Sequence, residues 1–173
     1  MITWCLPELR ARMGEAPPSE ADLRGMRLAL EQASIAASLG EVPVGAVVMQ
    51  AGQVRAATHN AMVARRDPTA HAECLAIREA LESLADDRLL DATLYVTLEP
   101  CAQCAGAIVL AKVGRVIFGA WDDKAGMAGS VGDLLRHPKL NHHPEVRGGV
   151  LAEEGGAMLR DFFRERRRPM EAP

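Results

Sequence analysis

Two short clusters of chemically capable side chains stand out in the sequence: His71-Ala72-Glu73, and Pro100-Cys101-Ala102-Gln103-Cys104. Cysteines three positions apart on a helix lie on one face, so both sulfurs can reach a single ion. Pro100 suits the first position of a helix, which places the pair at the positive end of the helix dipole, where thiolates are stabilised. His71 adds a nitrogen from the start of another helix. Two sulfurs and one nitrogen without a fourth protein ligand describe a zinc site that keeps a position open for water. Glu73 stands beside that position. Zinc lowers the pKa of its water towards about 7, and a carboxylate there accepts the proton and delivers it elsewhere. The set is machinery for hydrolysis with proton shuttling. A purely structural zinc is disfavoured on ligand count, because structural sites take four protein ligands. The spare thiols are Cys5, near the N-terminus, and Cys74, which fits the apolar stripe of its helix and is read as core.

The elements that must hold these clusters follow from periodicity. Ser19-x-x-Asp22 resembles a capping box and opens a helix in which Met26, Ala29/Leu30, Ala33 and Ala36/Ala37 recur at helical spacing up to Gly40. Glu41 to Met49 is a β-rich run, turned by Ala51-Gly52 into a second strand, Val54 to Thr58, as a hairpin. A polar loop from Asn60 to Asp67 leads to Pro68-Thr69 and a second helix with Cys74, Ile77, Leu81 and Leu84 as its apolar stripe and His71 one turn earlier on that face. Thr93 to Leu98 is a buried strand, Cys101 to Ala111 a short helix, Val113 to Ala120 a fourth strand and Val146 to Val150 a short fifth. A last helix from Leu151 carries Gly155, Met158/Leu159 and Phe162 on one face. Strands alternating with helices predict a layered α/β domain with helices covering both faces of a sheet.

The chain has 173 residues, the size of one domain, and its 49% apolar and 25% charged composition excludes a disordered or collagen-like protein. A formal charge of −3 argues against a general nucleic-acid coat but not against a local basic patch. Such a patch lies between Arg160 and Arg168, where five arginines face only Asp161 and Glu165. Apolar stretches fall well short of the roughly 20 residues of a membrane span. The start lacks a basic region, and Pro7-Glu8 interrupts it, so no export signal is expected. That places the protein in the reducing cytoplasm, where cysteines are not a disulfide framework. Residues 1–18 read as a loose leader, with Trp4, Leu6 and Leu9 packed as an extra turn as the minor alternative. The domain covers 19–168, and 169–173 form a tail.

His-x-Glu followed by Pro-Cys-x-x-Cys is the signature of zinc nucleobase deaminases. Together with EVPVGAV (41–47), DPTAHAE (67–73), ATLYVTLEPCAQCAGA (92–107), RVIFGAWDDKAG (115–126) and GSVGDLLRHPKLNHHPEV (129–146), it makes the chain resemble the bacterial tRNA-specific adenosine deaminases from about residue 20 to about 168. The first two motifs are shared across the superfamily and set chemistry, not substrate. Asn141-His142 and Phe162-Phe163-Arg164 point to the tRNA branch. The resemblance implies a three-layer α/β/α cytidine-deaminase-like fold with a mixed five-stranded sheet, a homodimer, and one zinc per subunit on His71, Cys101 and Cys104. It implies Glu73 as the catalytic proton shuttle, Asn60 on the adenine ring, and the Ala72 backbone N–H supporting the developing oxygen. The implied reaction is hydrolysis of adenosine to inosine at the wobble position of an arginine tRNA, on a base splayed from the anticodon loop. Neither DNA nor a membrane is an expected partner.

Several residues admit a plainer reading. Asn60 could cap a turn, and base contact is preferred. Asp122 aligns with a residue near the target sugar, although an exposed Asp in a polar loop is usually only solvated. Trp121 either stacks on a loop nucleotide or covers apolar surface at a dimer contact, the second being favoured. Asn141 is assigned to nucleic acid, and the spacing of His137, His142 and His143 fits no second metal. Arg164, Arg166, Arg167 and Arg168 are assigned to RNA phosphates over a merely solvated helix end. Two rivals stand: a superfamily member acting on a free base or nucleoside, and a catalytically silent RNA-binding module with a structural zinc.

Overall fold

The computed structural model describes residues 17–167. The leader up to residue 16, with Trp4, Cys5, Leu6 and Leu9, lies outside the described residues, as do Arg168 and the 169–173 tail. The elements run α1 (Glu20–Ser38), β1 (Gly45–Gln50), β2 (Gln53–His59), α2 (Met62–Arg65), α3 (Ala72–Leu84), β3 (Ala92–Leu98), α4 (Ala102–Leu110), β4 (Arg115–Ala120), β5 (Glu145–Arg147) and α5 (Ala152–Arg166). The strands form one sheet in the order β2-β1-β3-β4-β5. β1 is antiparallel to both β2 and β3, while β3, β4 and β5 run parallel. This is the mixed five-stranded sheet expected.

Period-two alternation sends side chains to two cores. Val47, Met49, Tyr95 and Ile117 meet Met26 and Ala29 of α1 on one face. Ala46, Val48, Leu94, Val96, Val116 and Phe118 meet Ala76 and Ala80 of α3 and Ala105 and Ile108 of α4 on the other. α5 lies beside α1, with Gly155 against the Thr97 carbonyl of β3 and the Leu30 side chain, which completes three layers. Gly45 lets α1 touch the sheet: a Cβ there would stand 2.1 Å from the Ala29 carbonyl oxygen.

Helix α1 bears out its sequence pattern, burying Met26, Ala29, Ala33 and Ala36. Both bonds of the capping box are present, Asp22 N–H to Ser19 Oγ (3.1 Å) and Ser19 N–H to Asp22 Oδ2 (3.2 Å). Asp22 also receives Arg115 of β4 at 2.6 and 3.3 Å, and Arg115 reaches Glu145 of β5 at 2.9 Å. The hairpin is closed by Ala51 and Gly52, both with positive φ (50° and 75°), as the two-residue turn that matches strand twist requires.

Four local expectations need correction. The loop after Asn60 contains the short helix α2. Pro100 lies before the N-cap Cys101, outside the helix, because Cys101 is still extended (φ −74°, ψ 178°). His71 is likewise the N-cap of α3 and not part of its face. β5 ends at Arg147, where Gly148 and Gly149 carry the chain under the Trp121 ring.

Candidate active site

The first turns of α3 and α4 meet at the site. With His71 and Cys101 as N-caps and Cys104 one turn into α4, His71 Nδ1 stands 3.6 Å from Cys101 Sγ and 3.4 Å from Cys104 Sγ. All three ligand atoms lie within 4.8 Å of one another. Around one tetrahedral zinc, with bonds of about 2.3 Å to sulfur and 2.0 Å to nitrogen, neighbouring S and N ligands stand about 3.5 Å apart. The residues present therefore fit the metal that the sequence implies. The bond from the Cys104 thiol outweighs burial and, with the His71 ring alongside, brings Cys101 down to about 3. The same Cys101 partnership raises His71.

Cys74 is not a core residue. It is half-buried, its Sγ lies 3.8 Å from Cys104 Sγ, and it accepts the Gln103 amide at 3.3 Å. At the third position of α3 it points towards α4, while Leu75, Ala76, Ile77 and Ala80 supply the buried face of that helix.

A cleft of about 180 Å³ opens over the site. Its lining includes His71, Cys101, Glu73, Asn60 and Asp122, so five of the anticipated site residues converge there. Glu73 is 4% exposed, and burial pushes its carboxyl up to about 7. Ala72 is the first residue of α3, so its N–H has no partner within the helix. The Thr58 hydroxyl holds that turn from β2, donating to the Ala72 carbonyl at 2.7 Å.

Two buried glutamates that the sequence reading passed over organise the walls. Glu41 accepts the Asn60 side-chain amide at 3.3 Å and the Ala64 N–H of α2 at 2.8 Å. It thereby orients Asn60 and fixes the helix whose Met62 also lines the cleft. Glu99, at the end of β3, accepts backbone N–H groups from Asp122 (3.0 Å), Ala128 (2.9 Å) and Ser130 (3.0 Å), and the Ser130 hydroxyl. The sequence offered one signal, glutamates inside apolar runs, at Glu41-Val-Pro-Val and Leu98-Glu99-Pro100.

Other anticipated residues stand apart from the cleft lining. Asn141 accepts the Lys112 ammonium beyond the end of α4. The ring nitrogens of His142 and His143 meet the carbonyls of Val113 (2.7 Å) and His137 (2.9 Å). Arg164 pairs with Asp161 at 2.8 Å, and Arg166 reaches the Gly40 carbonyl and lies 4.5 Å from the Phe162 ring centre. Arg167 is exposed at the end of α5. Trp121 meets Phe118 edge-on at 4.7 Å, covering apolar surface of its own chain.

Comparison with known proteins gives a consistent set of relatives. The family model of the MafB19-like deaminases matches residues 20–167. The tRNA-specific adenosine deaminase of Bacillus subtilis (strain 168) is 48% identical over 147 residues, 85% of this chain and 91% of that protein. That of Haemophilus influenzae is 47% identical over 150 residues, 86% and 87% of the respective chains. A solved structure from a study of A-to-I editing by tRNA:A34 deaminases at the wobble position superposes with a TM-score of 0.76 at 42% identity, covering 79% of this chain and 99% of its own.

Proposed function

This chain belongs to the tRNA-specific adenosine deaminase family, and on that premise we propose that it hydrolyses adenosine to inosine at the wobble position of a tRNA anticodon loop, that of an arginine tRNA. The observation that carries this reading is the convergence of His71, Cys101 and Cys104 beneath a cleft that also holds Glu73 and Asn60. These three residues would hold one zinc per subunit, which when bound supplies the positive charge that makes water a nucleophile near neutral pH.

The chain's own residues do the rest. Glu73 receives a proton from the attacking water and passes it to N1 of the adenine ring. It then carries the water's second proton to the departing 6-amino group, so that adenosine and water become inosine and ammonia. The Ala72 N–H, at the positive end of α3, supports the oxygen that bonds to C6. Asn60, held by Glu41, contacts the ring, and Asp122 faces the ribose. A base already single-stranded enters the cleft for a few kcal/mol of unstacking.

The tRNA stem meets the basic end of α5, where Arg164, Arg166 and Arg167, with Arg168 beyond them, contact phosphates, and Asn141 adds a polar contact. Arg166 spends one donor on the Gly40 carbonyl out of the five a guanidinium offers. The enzyme works as a cytoplasmic homodimer built from the 19–168 domain. Among the described residues no helix is long and apolar enough to cross a membrane.

The test is inosine formation in an arginine-tRNA anticodon stem-loop, read by sequencing, beside Glu73→Ala and free adenosine. Inosine from the wild type alone, with free adenosine untouched, is the expected result. Turnover of free bases or nucleosides without tRNA would replace the substrate reading. An RNA-binding function untouched by Glu73→Ala would replace the enzymatic one.

A further inference from the structure

We propose that Glu99 is a positioning residue for the substrate: through the Asp122 backbone N–H it sets the wall of the cleft against which the nucleotide is held. The identity of that nucleotide rests on the deaminase reading above; the geometry of the wall does not.

Glu99 leaves β3 immediately before Pro100 and Cys101, and its side chain is 2% exposed. Burying a carboxylate is costly unless donors replace its water, and here the donors all come from one segment, 122–130. Oε1 accepts the Ala128 and Ser130 N–H groups, while Oε2 accepts the Asp122 N–H and the Ser130 hydroxyl. The segment closes around the carboxylate: the Gly126 N–H bonds the Asp122 carbonyl at 2.9 Å, and the Met127 N–H bonds the Pro100 carbonyl at 2.8 Å. Gly126 bridges to Cys101 in antiparallel fashion, and a Cβ on it would lie 2.3 Å from the Glu99 carboxyl carbon. Only glycine there lets the carboxylate reach both ends of the segment.

The two oxygens serve different ends. Ala128 and Ser130 are buried and are not part of the cleft lining, whereas Asp122 and Ala125 line it together with Glu99 itself. That division makes the roles separable. In Glu99→Gln the amide oxygen can keep the Ala128 and Ser130 N–H bonds. Its NH2 then faces the Asp122 N–H, donor against donor, while the Ser130 hydroxyl can turn to accept. The variant releases the cleft end of the segment and keeps the rest.

The experiment measures hydrogen exchange, zinc content and steady-state kinetics on an anticodon stem-loop, using full-length wild type, Glu99→Gln and Gly126→Ala. Loss of one such bond corresponds to roughly a tenfold change. Glu99→Gln is expected to speed exchange in the 122–126 peptide and not in 128–130. KM should rise about tenfold, with kcat within about twofold and zinc retained. Gly126→Ala, whose Cβ would press on the Glu99 carboxylate at 2.3 Å and on the Asp122 carbonyl oxygen at 2.7 Å, disturbs the same contact from the wall's side and should give the same split. Faster exchange at 122–126 with unchanged KM would overturn the proposal. So would zinc loss with a fall in kcat and faster exchange throughout, which is what a merely structural role produces. A wild type that forms no inosine would overturn the substrate reading alone, and the exchange pattern would still decide whether Glu99 fixes the Asp122 wall.

Discussion

Helix α1 and the pair α3/α4 begin in opposite ways. At α1, Ser19 and Asp22 satisfy each other's backbone N–H groups, and the start of the helix is closed. At α3 and α4 the N-caps are His71 and Cys101, and neither makes a side-chain capping bond. A capping residue contributes about 1 kcal/mol, so two helix starts forgo that much stability. In exchange, both N-cap side chains reach a common point, which Cys104 meets from the first turn of α4. The positive ends of two helix dipoles face the same small volume, which favours thiolate at Cys101 and an anionic oxygen near Ala72. One structural position serves stability when it is filled by Ser19 and chemistry when filled by His71 or Cys101.

The sharpest way to break this contrast is Cys101→Ser, which puts a good cap where a ligand was. Inosine formation should drop to background and zinc content fall. The metal-free variant should melt at or above the temperature of metal-free wild type, since serine caps helices well. Elemental analysis and circular dichroism read the two effects separately, and a metal-free variant that melts lower would contradict the comparison. Glu73→Gln comes next. It leaves both helix starts as they are and should lower kcat by about 10²–10⁴-fold, with zinc and melting temperature held.

The α1 side should respond in stability alone. Asp22→Ala leaves Arg115 facing a buried gap, with the Asp22 side chain 1% and Arg115 28% exposed, at a cost of about 3 kcal/mol in urea unfolding. Activity per folded molecule should not change. Burial opposes ionisation of Asp22, but the bonds from Arg115 and Ser19 outweigh it and hold the carboxyl below its ordinary 3.8. In acid the folded chain therefore binds fewer protons than the unfolded one. The stabilisation is complete above the ordinary value and is lost as pH falls through the lowered folded one. Urea midpoints of wild type and Asp22→Ala should draw together below about pH 4. The smallest effect is Ser19→Ala, about 1 kcal/mol with no kinetic change.

What was legible in the sequence follows the range of the interactions involved. Layer order, the capping box, the hairpin and each half of the metal-ligand set rest on residues a few positions apart, where period and spacing carry the signal; joining His71 to Cys101, 30 residues on, takes the paired His-x-Glu and Pro-Cys-x-x-Cys motif. Glu41 and Glu99 were not legible as organisers, because most of their partners are backbone N–H groups 23 to 31 residues away, which any sequence would supply. Cys74 was misread for a related reason. Its spacing matches an apolar stripe, and only the packing of α3 on α4 brings its sulfur to Cys104. The place of Asn141 beside Lys112 was not legible either, because it depends on a long connection without period.

The Ala51-Gly52 turn has a practical consequence. β1 runs from Gly45, next to the cleft-lining Val44, to Gln50 at the turn, a span of about 17 Å. The turn is exposed, and a side chain on Gly52 would meet nothing within 4 Å. A short tag inserted there would let the protein be fixed to a sensor surface or labelled with a fluorophore at the end of the hairpin remote from the cleft, leaving its mouth free for a macromolecular substrate.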